Sequence, residues 1–364
     1  MRVALSIFYV LLIAAAGELL VGQFAPSFYD HVVRMDGTSG AYAYVPNIQG
    51  AFRDQESGLL QRLQTNSQGF RDSERPWTRL PGVSDIVVAG NSFVDARQVQ
   101  LEKRFTSRLE SELSRAGRET RVFNLGIHGQ NIVNHVDLAL YAEETLAPAM
   151  AVVVLDLPAD FAGFTSQTTY RHGRRIVYDA GSDPVSRSEQ ELNSWESKVR
   201  SIRSMLRRLW LVRIAQSTEA QISLWLANFG QRRAANDPMA CPAALRIGSP
   251  TADASFRLAK ALIDDLHQVL GKRLLIVLIP AEAQLSPTAN EKDCDWTRSE
   301  RWLQNLAERD GVAAVSLLSP LQAHRREVFF PGGHLTAAGH EIVAEALRER
   351  IEALLSASKD RAGQ

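Results

Sequence analysis

The sequence predicts an α/β fold with a mainly parallel sheet, and three observations carry that prediction. From residue 82 onward short apolar runs alternate with longer amphipathic stretches, the order expected of βαβ units. One of the runs, Ala151 to Leu155, is apolar throughout, as suits a central strand buried on both faces. Several runs end at Gly or Pro: Gly90 after the first, Gly126 after the second, Pro158 and Pro280 after later ones. Such residues punctuate strand ends.

Taken in order, the first strand is Asp85 to Ala89, followed by Gly90-Asn91-Ser92-Phe93 and a helix around Lys103 to Arg115. The second strand, Arg121 to Asn124, leads into Leu125-Gly126-Ile127-His128-Gly129 and a helix over Ile132 to Glu144. After Ala151 to Leu155 the residues from Ser188 to about Gly230 read as a helical insertion or cap. Its Trp195, Leu206, Leu209, Trp210 and Ile214 lie near a 3.6-residue spacing with arginines between them, which is the pattern of core packing. A helix near Ser255 to Leu270, a strand Arg273 to Ile279, a helix around Ser299 to Arg309, a short strand Ala313 to Ser316 and a last helix from Thr336 to about Leu355 complete the domain.

The N-terminus differs in kind. Behind Arg2, Val3 to Gly17 carries no charge, and Leu19, Leu20 and Val21 extend the run past Glu18. This approaches the roughly 20 residues a spanning helix needs. Ala14, Ala15 and Ala16 also suit signal-peptidase cleavage, but the hydrophobicity beyond Glu18 favours an uncleaved anchor. Either way the reading is export, with the domain on the periplasmic or extracytoplasmic side. The organisation expected is an anchor or signal segment at 1–22, a neck and lead-in at 23–81, an α/β domain at 82–355 with the insertion at about 188–230, and a tail at 356–364.

Composition narrows the function classes. Lys plus Arg and Asp plus Glu both number 41, and no charge block breaks the balance, so a nucleic-acid surface is excluded. No repeat or low-complexity tract is present. Cys241 and Cys294 are the only cysteines and neither has a metal-ligand spacing; one disulfide or two thiols remain open for them, and no metal or cofactor is expected.

In an open parallel sheet chemistry is sought at the carboxyl ends of the strands. Ser92 follows the first strand on a strand-to-helix turn, a place that exposes a hydroxyl beside a free backbone N–H. A serine hydroxyl needs a base and oxyanion donors. His334, before the last helix, suits the base because neutral imidazole takes a proton near pH 7. Gly129 can bring its N–H close to a ligand because it lacks a Cβ. A Gly-x-Ser alone is weak, since such a serine is often a turn or N-cap residue.

The combination is more specific. Asp85-Ile-Val-Val-Ala-Gly90-Asn91-Ser92-Phe93-Val94, Phe123-Asn124-Leu125-Gly126-Ile127-His128-Gly129 and His334-Leu335-Thr336-Ala337-Ala338-Gly339-His340 occur in that order. With Thr65 to Asp72 and Leu274 to Gln284, they make the chain resemble the SGNH, or GDSL-like, hydrolases of the bacterial membrane-anchored type, over roughly Asn66 to Leu355. The resemblance implies a flavodoxin-like three-layer α/β/α sandwich and a metal-free esterase. It implies Ser92 as nucleophile, His334 as base, and the N–H groups of Ser92 and Gly129 as oxyanion donors.

Three departures stand out. Asn91 replaces the family's aspartate before the serine. Pro158-Ala159-Asp160 replaces its Gly-Asn-Asp, removing an asparagine donor worth about 2.7–4 kcal/mol in a protease example. Pro331 and Gly332 stand where the family has the aspartate that orients its histidine, a group whose loss lowers turnover by roughly 10⁴ in the serine-protease example. Candidates to compensate are Glu327 for the histidine, and Asn131 or His128 for the oxyanion; Asp160 reads equally as a site residue or an N-cap. His340 reads as a packing histidine. The expected activity is ester hydrolysis on a small molecule, envelope polysaccharide or lipid, with a degenerate binding module or an O-acyltransferase as alternatives.

Overall fold

The computed structural model describes residues 6, 8–10, 12, 13, 15–17, 32–34, 40–54, 56–161, 163–206, 209, 240–287, 292–325 and 327–362. Most of the apolar segment at 1–22 therefore lies outside the described residues, as does most of 207–239. Among the described residues no helix is long and apolar enough to cross a membrane.

The chain begins with β1 (Val32–Arg34) paired antiparallel with β2 (Tyr42–Tyr44), then a hairpin of β3 (Gln49–Arg53) and β4 (Leu60–Gln64). The α/β core follows: β5 (Ser84–Gly90), a one-turn α1 (Ser92–Asp95), α2 (Phe105–Arg115), β6 (Thr120–Gly126), α3 (Ile132–Thr145), β7 (Met150–Asp156) and a one-turn α4 (Leu157–Asp160). An antiparallel sheet of β8 (Ser166–Arg171), β9 (Arg174–Asp179) and β10 (Ser186–Glu191) interrupts it, with α5 (Ser194–Leu206) after it. The core resumes with α6 (Pro250–Leu270), β11 (Leu274–Ile279), α7 (Arg298–Arg309), β12 (Ala313–Ser316), α8 (Leu318–Ala323) and α9 (Ala337–Ala362).

The main sheet has the order β12-β11-β7-β5-β6, and every neighbouring pair is parallel. In order of appearance that is 5-4-3-1-2, the flavodoxin-like doubly wound arrangement, whose ligand crevice lies where the connections diverge on either side of the first strand. Alternate residues of the central strands feed two cores, as the two-residue period of a strand requires. Ile86, Val88, Val152, Val154, Leu275 and Val277 pack under α2 and α9, among Phe105, Leu109, Val343 and Leu347. Val87, Ala89, Ala151, Val153, Ile276 and Leu278 pack under α3, α6 and α7, with Val136, Leu262 and Leu303. The sheet is thus the middle of three layers.

Two regions differ from expectation. Ser186–Glu191 is a strand and the helix starts only at Ser194. Every residue of β10 is exposed, so no hydrophobic alternation marks it in the sequence. The helix that ends the domain continues through Ala362, so 356 onward is not a separate tail as far as the described residues reach. Cys241 and Cys294 form a disulfide, joining the segment before α6 to the loop before α7.

The lead-in at 40–78 is built into the domain. Tyr44, Ile48 and Phe70 are buried in the core under α3. Gly69 sits at φ +85°, and a Cβ there would lie 2.2 Å from the Tyr44 carbonyl oxygen, so no other residue permits this turn without displacing β2. Asn66 Oδ1 accepts the N–H groups of Gln68 and Phe70. The buried Arg71 guanidinium then donates to the carbonyls of Asp95, Ala96 and Val99, and Arg104 ties Asp72 to the same region at 2.9 Å. This charged cluster fixes the chain just after α1.

Candidate active site

β5 ends in a turn that small residues make accessible. A Cβ on Gly90 would lie 2.3 Å from Val94 Cγ2, and one on Gly126 would lie 2.0 Å from the Asp95 backbone nitrogen. Glycine at both places lets α1 fold tightly against the ends of β5 and β6. Asn91 caps α1, its Oδ1 accepting the N–H of Phe93 at 3.1 Å. Ser92 becomes the first residue of a helical turn, where backbone N–H groups have no partner within the helix.

His334 comes to this turn from the other end of the chain. The Phe330 N–H donates to the His334 carbonyl at 2.7 Å, and Gly333 at φ +89° donates back to the Phe330 carbonyl at 2.8 Å. The resulting tight turn, followed by the Thr336 cap on Gly339 N–H, sets the imidazole over the strand ends. Its Nε2 lies 2.9 Å from Ser92 Oγ. The Phe93 ring packs on the imidazole at 5.4 Å between centroids. The sequence pairing of Ser92 with His334 is thereby brought into hydrogen-bond contact.

The orienting carboxylate comes from the lead-in. Glu56 Oε1 lies 2.7 Å from His334 Nδ1. Because the carboxylate only accepts, Nδ1 carries the proton and Nε2 is left to accept the Ser92 hydroxyl proton. Glu56 sits at the tip of the β3-β4 hairpin, where Asp54 Oδ1 accepts the N–H of Glu56 at 3.2 Å and of Ser57 at 2.7 Å. Gln61 Nε2 donates to the Gln98 carbonyl at 2.8 Å, docking the hairpin beside the segment that follows α1. Glu327 does not take this role: its side chain is exposed, and its carbonyl accepts from the Thr336 hydroxyl.

Gly332 and the Glu56 carboxylate share one space. A Cβ on Gly332 would lie 2.3 Å from Glu56 Cδ and 2.5 Å from its Oε1. The carboxylate occupies the space that any side chain at 332 would need.

The loop after β6 completes the near side. Gly129 has φ +73°, a conformation glycine adopts without strain. Next to it, the His128 N–H donates to the Tyr44 hydroxyl at 2.7 Å, and that hydroxyl donates to Asp95 Oδ2 at 2.8 Å. Tyr44 therefore locks the Gly129 loop to the Ser92 turn. The His128 ring stands 6.4 Å from the His334 ring. Asn131 caps α3, its Oδ1 accepting the Val133 N–H at 3.1 Å. His340 is buried, stacked on Phe105, its Nδ1 facing the Phe105 N–H at 3.4 Å, a packing histidine as expected.

Asp160 is not in contact with the Ser-His pair. It is buried, accepts the Asp156 N–H at 2.7 Å, and approaches His135 Nδ1 at 3.5 Å. Burial and the neighbouring Asp156 push its carboxyl well above the usual range, while burial pulls His135 down to about 3. Sequence reasoning missed Asp156 itself. It ends β7, in the crevice beside β5, and its Oδ2 accepts from Asn91 Nδ2 at 3.4 Å and from the Ala159 N–H at 3.3 Å. Burial lifts its carboxyl to about 7, opposed by the Ala159 N–H, by the nearby His334 and by Asn91.

That shift has a stability consequence with a definite sign. The unfolded carboxyl titrates near 3.9, so the native state holds the extra proton between about pH 4 and 7, and its stabilising effect is lost as pH rises through that window. Ionised Asp156 therefore costs on the order of 4 kcal/mol above pH 7. Asp156→Asn is expected to gain melting temperature over wild type progressively from pH 4 to 7, with a constant advantage above. Parallel melting curves for the two proteins across pH 4–8 would refute the assignment.

No protein-family model matches the chain, and no curated protein matches it. Solved structures similar to it include a lipase/acylhydrolase from Enterococcus faecalis, 11% identical over 74% of this chain and 96% of that one, with a TM-score of 0.38. An acetyl xylan esterase is 14% identical over 73% of this chain and 99% of its own, with a TM-score of 0.38. An SGNH-hydrolase family esterase is 13% identical over 76% and 98%, with a TM-score of 0.34. An SGNH hydrolase is thus among the structures this chain is similar to.

Proposed function

We propose that the protein is a serine esterase using a Ser92-His334-Glu56 triad. The observation that carries this reading is the unbroken chain of contacts from carboxylate to imidazole to hydroxyl, at 2.7 and 2.9 Å. In this scheme Ser92 Oγ attacks the ester carbonyl while His334 Nε2 takes its proton. The tetrahedral oxyanion is met by the N–H groups of Ser92 and Gly129. His334 then returns the proton to the leaving alkoxide, and the acyl-enzyme is opened by water activated by the same imidazole. Glu56 holds the ring and stabilises the imidazolium. The complete triad also favours an active enzyme over a degenerate binding module, because a binding surface has no need of a carboxylate behind the histidine.

The substrate proposed is an ester on an envelope glycan or lipid, met outside the cytoplasm. The Cys241–Cys294 disulfide and the apolar N-terminal run support an oxidising compartment. Transfer of the acyl group to a sugar acceptor in place of water would use the same residues.

The test is covalent. A fluorophosphonate probe is expected to label the wild-type protein at Ser92, located by peptide mass, with hydrolysis of p-nitrophenyl acetate blocked in proportion. A protein that is neither labelled nor active on the activated ester would overturn the assignment.

A further inference from the structure

We infer that α5 is a membrane-surface element whose outer face lies in the headgroup region of an anionic bilayer. This role does not depend on the chemistry at Ser92.

α5 (Ser194–Leu206) starts at a reciprocal cap. The Glu196 N–H donates to Asn193 Oδ1 at 2.8 Å, and the Asn193 N–H donates to Glu196 Oε2 at 3.0 Å, which satisfies donors at the helix start. At about 100° per residue, Trp195, Val199, Ile202 and Leu206 fall on one narrow stripe along the helix.

A helix of a soluble domain turns such a stripe to the core. α5 does the reverse. Glu196, Ser197 and Arg200, on the opposite side, are half-buried. The Arg200 guanidinium lies over the Tyr170 ring of β8, 3.2 Å from its centroid. The apolar side faces out: Trp195 is 70% exposed, Met205 62% and Ile202 50%, and Leu206 and Leu209 are exposed beside them. Trp195, Leu206 and Leu209 were expected in the core, and the structure overturns that expectation. Trp210 and Ile214 lie outside the described residues.

Charge selects the occupant. Lys198 and Arg203, both exposed, border the stripe on its two sides, in a chain with no net charge. A second copy would set these cations against their like, which costs affinity. An anionic bilayer meets both features at once. Headgroup phosphates pair with the two cations while the stripe enters the boundary between headgroups and acyl chains, the arrangement of an interfacial helix. The Trp195 indole suits that depth, since its body is apolar and its one N–H stays in the wet layer. The aliphatic stems of Lys198 and Arg203 let their charged heads reach the phosphates. With 13 residues, α5 is too short to span a bilayer and lies along its surface. The apolar run Val3 to Gly17, read from the sequence as an anchor, would keep such a surface near.

The test uses the full chain in vesicles and reads α5 directly. Both native cysteines are joined in the disulfide, so Ile202→Cys offers a single thiol for a nitrobenzoxadiazole label. Ala307→Cys, at an exposed position of α7, is the reference. In vesicles of equal parts phosphatidylglycerol and phosphatidylcholine, the label at 202 is expected to shift to the blue, lose access to acrylamide and be quenched by doxyl-lipid. The label at 307 should stay open to acrylamide. Lys198→Ala with Arg203→Ala should weaken the partitioning of α5 by about 25-fold, or about fivefold for each cation. Trp195→Ser leaves the charge intact and should weaken it as well. All three side chains are exposed, so melting temperatures should not move. Equal acrylamide access at 202 on anionic vesicles and on phosphatidylcholine alone overturns the inference. So does excimer emission between pyrene labels at 202 on two copies, which would assign this face to self-association.

Discussion

Ser92→Ala is expected to reduce ester turnover by about 10⁶-fold, and His334→Ala by a comparable amount, with the double variant no worse than either alone. The magnitudes follow a serine protease in which nucleophile and base act as one unit. Here the unit is visible as the 2.9 Å contact between Ser92 Oγ and His334 Nε2. Once either partner is gone, no proton can leave the attacking oxygen, and removing the second has nothing left to take away. What remains is binding and the oxyanion donors, worth about 10³–10⁴ over water in the same comparison. Neither substitution opens a sizeable cavity: Ser92 loses one oxygen at the rim of the crevice, and His334 lies in a turn held by its own backbone bonds. Turnover of p-nitrophenyl acetate by the purified single and double variants, with melting temperatures alongside, decides the matter. A Ser92→Ala protein within tenfold of wild type would remove the serine from the chemistry.

How much of this could be read from the sequence depends on where each signal resides. The strands of the main sheet begin and end within about two residues of expectation, most clearly the central ones, because burial on both faces writes these as apolar runs, as at Ala151 to Leu155 in β7. Ser92 and His334 were legible because each sits in a short local pattern at a strand or helix end. Glu56 was not: 278 residues separate it from His334, and its hairpin tip is a polar turn like many others. The one hint was negative, a glycine at 332 where a carboxylate was wanted, and it takes coordinates to see that the glycine makes room for a carboxylate from elsewhere. Asp156 was hidden for a related reason. Read along the chain it only closes a strand, whereas the crevice that buries it lies at the carboxyl ends of the neighbouring parallel strands β5 and β7. The exposed strand Ser186–Glu191 left no trace because strand periodicity is legible only when one face is buried.

Glu56→Gln is expected to lower kcat by up to about 10⁴, the loss seen when the equivalent aspartate of a serine protease is made neutral. The amide preserves the shape of the hairpin tip, yet its nitrogen competes as a donor and its oxygen carries no charge to stabilise the imidazolium. Gly332 offers a sharper version of the same test. In Gly332→Ala the new Cβ would meet Glu56 Cδ at 2.3 Å, and the flexible end of a glutamate side chain yields more readily than backbone. The fold should therefore keep its melting temperature while turnover falls toward that of Glu56→Gln. Combining Glu56→Ala with Gly332→Asp empties the space and returns a carboxylate two residues before the histidine, where the sequence resemblance places it. That double variant is expected to recover at least tenfold over Glu56→Ala alone, a gain of about 1.4 kcal/mol in transition-state stabilisation. If Glu56→Gln keeps wild-type kcat, the hairpin carries no orienting carboxylate and the imidazole is oriented by other means; if the double variant fails while Glu56→Gln is crippled, the carboxylate is needed at the hairpin tip, and position 332 cannot replace it.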